Sequence, residues 1–266
     1  MVLAGGHLIR AVILATVAAC ELVCGGAALA EVVPVRYPEG FSHGFLALKN
    51  PAGATVATGD FISTTRGNRV TTHLMYRFKD GSIDDDVAVF SQRGHFQLIS
   101  DHHVQKGPAF EQPTDTTIVV ATGKVTVRYR DDHGAEKTEV EQLELPSDLA
   151  NGVLITLLKN VQPSTLPPSV SYLASTPKPR LVKLEIAVVP PDRFAVAGSA
   201  RRATHYVVKA KIGGISGLIA PLVGKQPSDI HVWIAGGEAP AFLRADAPLS
   251  LDGPLFRTEL IAPVWR

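Results

Sequence analysis

The sequence predicts a mainly β protein: one large curved antiparallel sheet, half-barrel-like, packed on a single mid-chain amphipathic helix. Three observations carry this. From Gly44 onward, short runs rich in alternating and β-branched residues recur between glycine-bearing turns. One segment alone, Pro146–Val161, has apolar residues at helical spacing. The prolines cluster between the β-like runs, where a missing N–H harms no ladder.

The elements follow in order. "GFLALKN", "ATVATGDFISTT", "RVTTHLMYRF", "DDVAVFSQ" and "HFQLISDHHVQK" read as successive strands, and "TTIVVAT", "KVTVRYR" and "KTEVEQLEL" continue the meander. "KDGS" (79–82) is a hairpin turn, since Asp-Gly tolerates the positive φ that tight turns need. A helix is expected over about 147–160. Leu149, Val153, Leu154, Leu157, Leu158 and Val161 form its apolar side, Ser147 or Asp148 its N-cap, and Asp148, Asn151, Thr156, Lys159 and Asn160 its other side. After the proline-rich 162–169, strands resume through "SVSYLAS", "RLVKLEIAVV", "FAVAG", "ATHYVVKAKI", "DIHVWIAG", "AFLRADA" and "LFRTELIA". A sheet buried on one face needs a partner for it, and the helix supplies one. A pair of sandwiches split near 162–169 is the alternative arrangement.

The N-terminus indicates export. Arg10 is the single charge before the apolar run "AVILATVAA" (11–19), which is too short to span a bilayer. Two processing sites compete. "ALA" (28–30) suits signal peptidase, making 1–30 a signal peptide and 31–266 one β-rich domain. "VAAC" (17–20) resembles a lipoprotein box that would lipidate Cys20. The two cysteines, Cys20 and Cys24, both precede Ala30, so cleavage there leaves no thiol for a disulfide, nucleophile or metal site.

Charge narrows the function classes. With 26 basic and 25 acidic residues in 266, the chain lacks the basic surface of a dedicated nucleic-acid binder. Its charges are uneven, however. Eight basic residues between Lys178 and Lys211 face only Glu185 and Asp192, and seven acids between Asp80 and Asp115 face only Arg93 and Lys106. Arg201 and Arg202 are the best placed for an anionic headgroup.

The stretches "HGFLALKN", "GNRVTTHLMYRFKDGSIDDDVAVFSQRGHFQLISDHHVQKGP", "LPSDLANGVLITLLKN" and "ATHYVVKAKIGGISGLIAPLVGKQPSDIHVWIAGGEAPAF" resemble an uncharacterised family of exported bacterial proteins across most of the mature chain. That resemblance implies export but no catalytic residues. The order of strands, one helix and more strands is also similar to the half-barrels of periplasmic lipoprotein carriers, which cradle acyl chains between a curved sheet and its helices. That similarity implies an apolar ligand between sheet and helix; Leu149, Val153, Leu154, Leu157 and Leu158 on the apolar side of the helix are the candidate cavity wall, the alternative being that they simply fill the core.

Asp84, Asp85, His102 and His103 are the candidate metal or acid–base residues. If "KDGS" and "QRGH" both close two-residue turns, Arg77 faces Asp84 and Tyr76 faces Asp85, while Asp84 faces His103 and Asp85 faces His102. Neighbours on a strand point to opposite faces. Each face then offers one histidine and one carboxylate, short of the three ligands of a catalytic zinc. "GLIAPLVGKQ" (217–226) departs from a phosphate loop in its glycine spacing, and "GGISGL" (213–218) lacks a residue of the nucleophile elbow. The expectation is a non-catalytic envelope protein without cofactor, holding a lipid or apolar molecule. A protein-interaction module of the envelope, anchored if Cys20 is lipidated, is the alternative, and a metal-dependent enzyme is third.

Overall fold

A computed structural model describes residues 32–131, 133–166, 169–196, 199–211, 227–250 and 253–261. The strands are β1 (Ser42–Lys49), β2 (Thr55–Arg66), β3 (Arg69–Phe78), β4 (Ile83–Ser91), β5 (Gln97–Lys106), β6 (Thr114–Val119), β7 (Lys124–Arg130) and β8 (Glu136–Gln142). The helix α1 (Leu154–Asn160) follows. Then come β9 (Ser169–Ala174), β10 (Arg180–Val196), β11 (Ser199–Lys211), β12 (Ile230–Ala235), β13 (Ala241–Pro248) and β14 (Leu255–Leu260).

All fourteen form one antiparallel sheet in the order β8-β7-β6-β5-β4-β3-β2-β1-β14-β13-β12-β11-β10-β9. β1 pairs with β14, so the chain is a meander whose first and last strands join in the middle of the sheet. The curved sheet stays open between β8 and β9, the two strands that the helix-bearing connection links. Each edge is managed differently. β8 is exposed and carries Glu136, Lys137, Glu139 and Glu141, charges that discourage pairing with another chain. β9 is capped by residues 148–151. Ala150 N–H donates to the Ser171 carbonyl (2.9 Å), Ser171 N–H donates to the Asp148 carbonyl (3.2 Å), and the Asn151 side chain bonds both backbone groups of Leu173.

That capping role shortens the helix. The spacing predicts it from about 147, but α1 begins at Leu154. Residues 148–151 run beside β9, and Gly152 then turns the chain at φ +62, in the left-handed region. Asp148 is no N-cap. Its side chain accepts from Ser171 Oγ (2.6 Å) and Lys183 Nζ (2.8 Å). Pro190 and Pro191 also differ from expectation: they lie within β10, where its pairing to β11 breaks between Val189 and Asp192.

The larger core cluster joins Val70, Phe90, Leu98, Ile118, Val125 and Val127 of the sheet to Leu149, Val153, Leu157 and Leu158, and to Val170, Leu184 and Ile186 beyond the gap. Phe90 and Ile118 are wholly inaccessible, and each buried side chain of this size contributes roughly 1.5–3 kcal/mol. A second cluster, Leu46, Leu48, Ala57, Tyr76, Phe78 and Phe110, occupies the concave face of β1–β3. The polar side of the helix does not face solvent. Residues 33–39 run over it as a strap. Asn160 Oδ1 accepts from the Arg36 and Tyr37 amides (2.9 and 2.7 Å), Lys159 pairs with Glu39, and Val33 and Val35 bond Phe96 and Gly94.

Candidate functional site

Between the two apolar clusters, three rungs of the sheet turn polar on the concave face. Tyr76, Asp84 and Gln105 lie across β3–β5 in the first, and Leu74, Asp86, His103 and Thr116 across β3–β6 in the second. Thr72, Ala88, Asp101 and Ile118 form the third.

Two irregularities set this register. "KDGS" closes a three-residue loop in which Phe78 pairs with Ser82 and Gly81 takes φ +86. Tyr76 therefore faces Asp84 and Arg77 faces Ile83, one position from the two-residue expectation. On the other side of β4 the loop after Ser91 is longer than "QRGH" suggests, since its backbone also pairs with the strap. Ile99 is then an extra residue, because Phe90 pairs with Leu98 but Val89 with Ser100. Asp84 thus faces Gln105, and Asp86 faces His103.

The four metal candidates separate. Asp84 and His103 share the concave face and meet diagonally, His103 Nε2 to Asp84 Oδ1, at 2.7 Å. Asp85 and His102 share the convex face without touching: Asp85 binds His73 (2.6 Å), and His102 binds Asp115 (3.0 Å). Among the described residues, no three histidine, cysteine or acidic side chains converge in metal-binding geometry.

The sequence reading did not single out Asp86 and Asp101. They lie on adjacent rungs of the same face, close enough to act on each other electrostatically, and the Oδ1 atom of each is buried without a hydrogen-bond partner. Burial, reinforced by the charge of Asp101, raises Asp86 well above the usual carboxylate range. Burial likewise pushes Asp101 up to about 6. The pair therefore keeps at least one proton well above the pH at which a free carboxyl ionises. His103 is pulled both ways. Burial favours neutral imidazole, but the hydrogen bond and charge of Asp84, with Asp86 and Asp85, outweigh it and raise its pKa. Gln105 Nε2 closes the network, donating to Asp84 Oδ2 (3.1 Å) and the Leu249 carbonyl (2.7 Å). Such a cluster can take up and release protons.

Gly152 roofs the acid pair, while Leu149, Val153 and Leu157 line a crevice with Val32, Val33, Phe96, Asp148 and Val170. That crevice is a cavity of about 10 Å³, room for one water. Leu158 is buried and Leu154 half-buried in the same core.

This is a polar cluster under a lid.

The sequence matches no protein-family model and no curated protein. A distant likeness exists to a β-barrel-like protein of a domain of unknown function, DUF1849, from Brucella abortus. It is 11% identical, with a TM-score of 0.44, covering 87% of this chain and 97% of that one.

The remaining sequence candidates are easily located. Arg202 is exposed on β11, paired with Arg193 of β10, and Arg201 pairs with Phe194. The side chain of Arg201, the segment 1–30 with Cys20, and both glycine-rich motifs within 212–226 lie outside the described residues. The acid pair left a faint trace in the sequence: Asp86 shares its parity along β4 with Phe90. The extra residue at Ile99 hides the matching parity of Asp101.

Proposed function

We propose that this chain is a non-catalytic, exported binding protein of the bacterial envelope that takes an apolar or acyl-bearing molecule beneath the segment 146–161. The observation that carries the reading is the crevice between strap and lid: seven apolar side chains enclose it, and its wall is the stretch that bridges the open side of the sheet. At about 10 Å³ the closed crevice excludes an acyl chain, so binding requires the lid to lift. The signal-like residues 1–30 and the resemblance to an exported family support the compartment. Lipidation of Cys20 would hold the protein at a membrane, and Arg201 and Arg202 would meet an anionic headgroup.

Solvent extraction of protein purified from its exported form, followed by mass spectrometry, tests this. A stoichiometric apolar molecule is expected. Empty protein that also fails to bind a fluorescent acyl probe would contradict it. Radiolabelled fatty acid, incorporated by the native chain and lost in Cys20→Ala, tests the anchor.

A further inference from the structure

We propose that Asp86 and Asp101 form a one-proton clamp that seats the Gly152 turn, and α1 with it, on the concave face, so that losing the proton releases the segment 146–161. The proposal concerns the seating itself and stands whether or not an acyl ligand binds below.

The geometry leaves little alternative for these two groups. Both carboxyls point from adjacent rungs into the space under the turn, and the Oδ1 atom of each lacks a partner. A β-carbon at residue 152 would lie 2.7 Å from Asp101 Oδ1 and 3.5 Å from Asp86 Oδ1. The turn therefore sits directly on the pair. While one proton is shared, the two carboxyls attract; once both are ionised, two negative charges face each other in a site of low dielectric.

Among the described residues, the charged neighbours of the pair are otherwise engaged. From β4, Asp84 adds negative charge beside Asp86, while Asp85 on the convex side acts on His103. His103 of β5 offsets part of the charge on Asp86, but its ring is hydrogen-bonded to Asp84. Tyr172 of β9 feels Asp84, Asp86 and Asp101, which together with burial raise its pKa and keep it neutral; Tyr76 of β3 is held neutral too, by burial and Asp84. The lysines packed on the segment are engaged elsewhere, Lys159 with Glu39 and Lys183 with Asp148. Thr116, opposite His103, has a buried hydroxyl with no partner and adds no charge.

Release frees more than a turn. Leu149, Val153 and Leu157 line the crevice, and the strap 33–39 is tied to the helix end at Lys159 and Asn160. Lifting the Gly152 turn therefore loosens both walls of the crevice at once.

Hydrogen exchange of the full folded chain at pH 5 and pH 8, corrected for intrinsic rates, tests the clamp. Peptides covering 149–160 are read against β1–β2, which belong to the other core cluster, as internal reference. In the wild type, protection over 149–160 is expected to fall roughly tenfold or more between the two pH values, with the reference unchanged. In Asp101→Asn and Asp86→Asn the ratio is expected to approach one. An unchanged segment in the wild type, or the same loss in both variants, overturns the proposal. So does restoration of protection at pH 8 by calcium alone, which would make the pair a cation site. If the variants do not fold, infrared spectroscopy of the wild type decides: a protonated carboxyl band at pH 5.5 that is lost in the same pH range as the protection over 149–160 supports the clamp, and its absence at pH 5.5 overturns it.

Discussion

Gly152 and Asp101 are in direct opposition: the lid turn has no side chain because a β-carbon there would stand 2.7 Å from the Asp101 carboxyl oxygen and 2.3 Å from the Ala88 β-carbon. Its φ of +62 is a second reason for glycine. Gly152→Ala meets both obstacles. It is expected to destabilise the fold by roughly 2–4 kcal/mol, the sum of a left-handed residue and an overpacked contact. Urea titration at pH 6 measures it, and a loss under 0.5 kcal/mol would show that the turn is not seated on the sheet.

Stability is expected to fall as pH rises from 4 to 8. Asp101 ionises near 3.8 in a free chain and near 6 when folded, so the native state binds more protons across that window. Asp86 is raised as well and extends the window upward. His103, raised above its ordinary 6.5, contributes stability that is complete below that value and lost as pH passes the folded pKa. All three act in the same direction. Asp101 alone accounts for roughly 2 kcal/mol. Chemical denaturation from pH 4 to 8 checks the slope; a stability that rises through this range would contradict it.

The two adjacent histidines are expected to differ sharply. His102 lies on the convex face, 49% exposed, in a pair of the kind that contributes about 0–1 kcal/mol. His103→Ala leaves the buried Asp84 carboxylate with Gln105 as its remaining side-chain partner, and a loss of roughly 1–3 kcal/mol is expected. Equal effects in thermal denaturation of the two alanine variants would argue against the assigned faces.

Asn160→Ala removes the acceptor of two strap amides and is expected to release residues 33–39. Limited proteolysis should cut near Arg36 in the variant and spare the native chain. Equal resistance would mean the strap is held by other contacts.

Much of this architecture was legible from the alternation of the strands and the prolines between them. The site was not, and the reasons are local. A three-residue loop at Lys79–Gly81 and one extra residue at Ile99 each move the pairing by a step, and a step exchanges neighbours across the sheet. Reading both turns as two-residue loops put Asp84 and His103 on one face, where they do lie, but it paired them with Arg77 in place of Tyr76. The helix was overextended because Asp148 and Asn151, good residues for a helix start, bond β9 instead. Asp86 and Asp101 carry no motif. Only folding brings two acids from separate strands beneath one glycine.

The most direct test of the account is acyl-probe binding by the native chain at pH 5 and pH 8, with Asp101→Asn alongside. Saturable binding that is at least several-fold faster at pH 8, and pH-independent in the variant, is the predicted result. No saturable binding at either pH, or wild-type rates that do not change with pH, would contradict it.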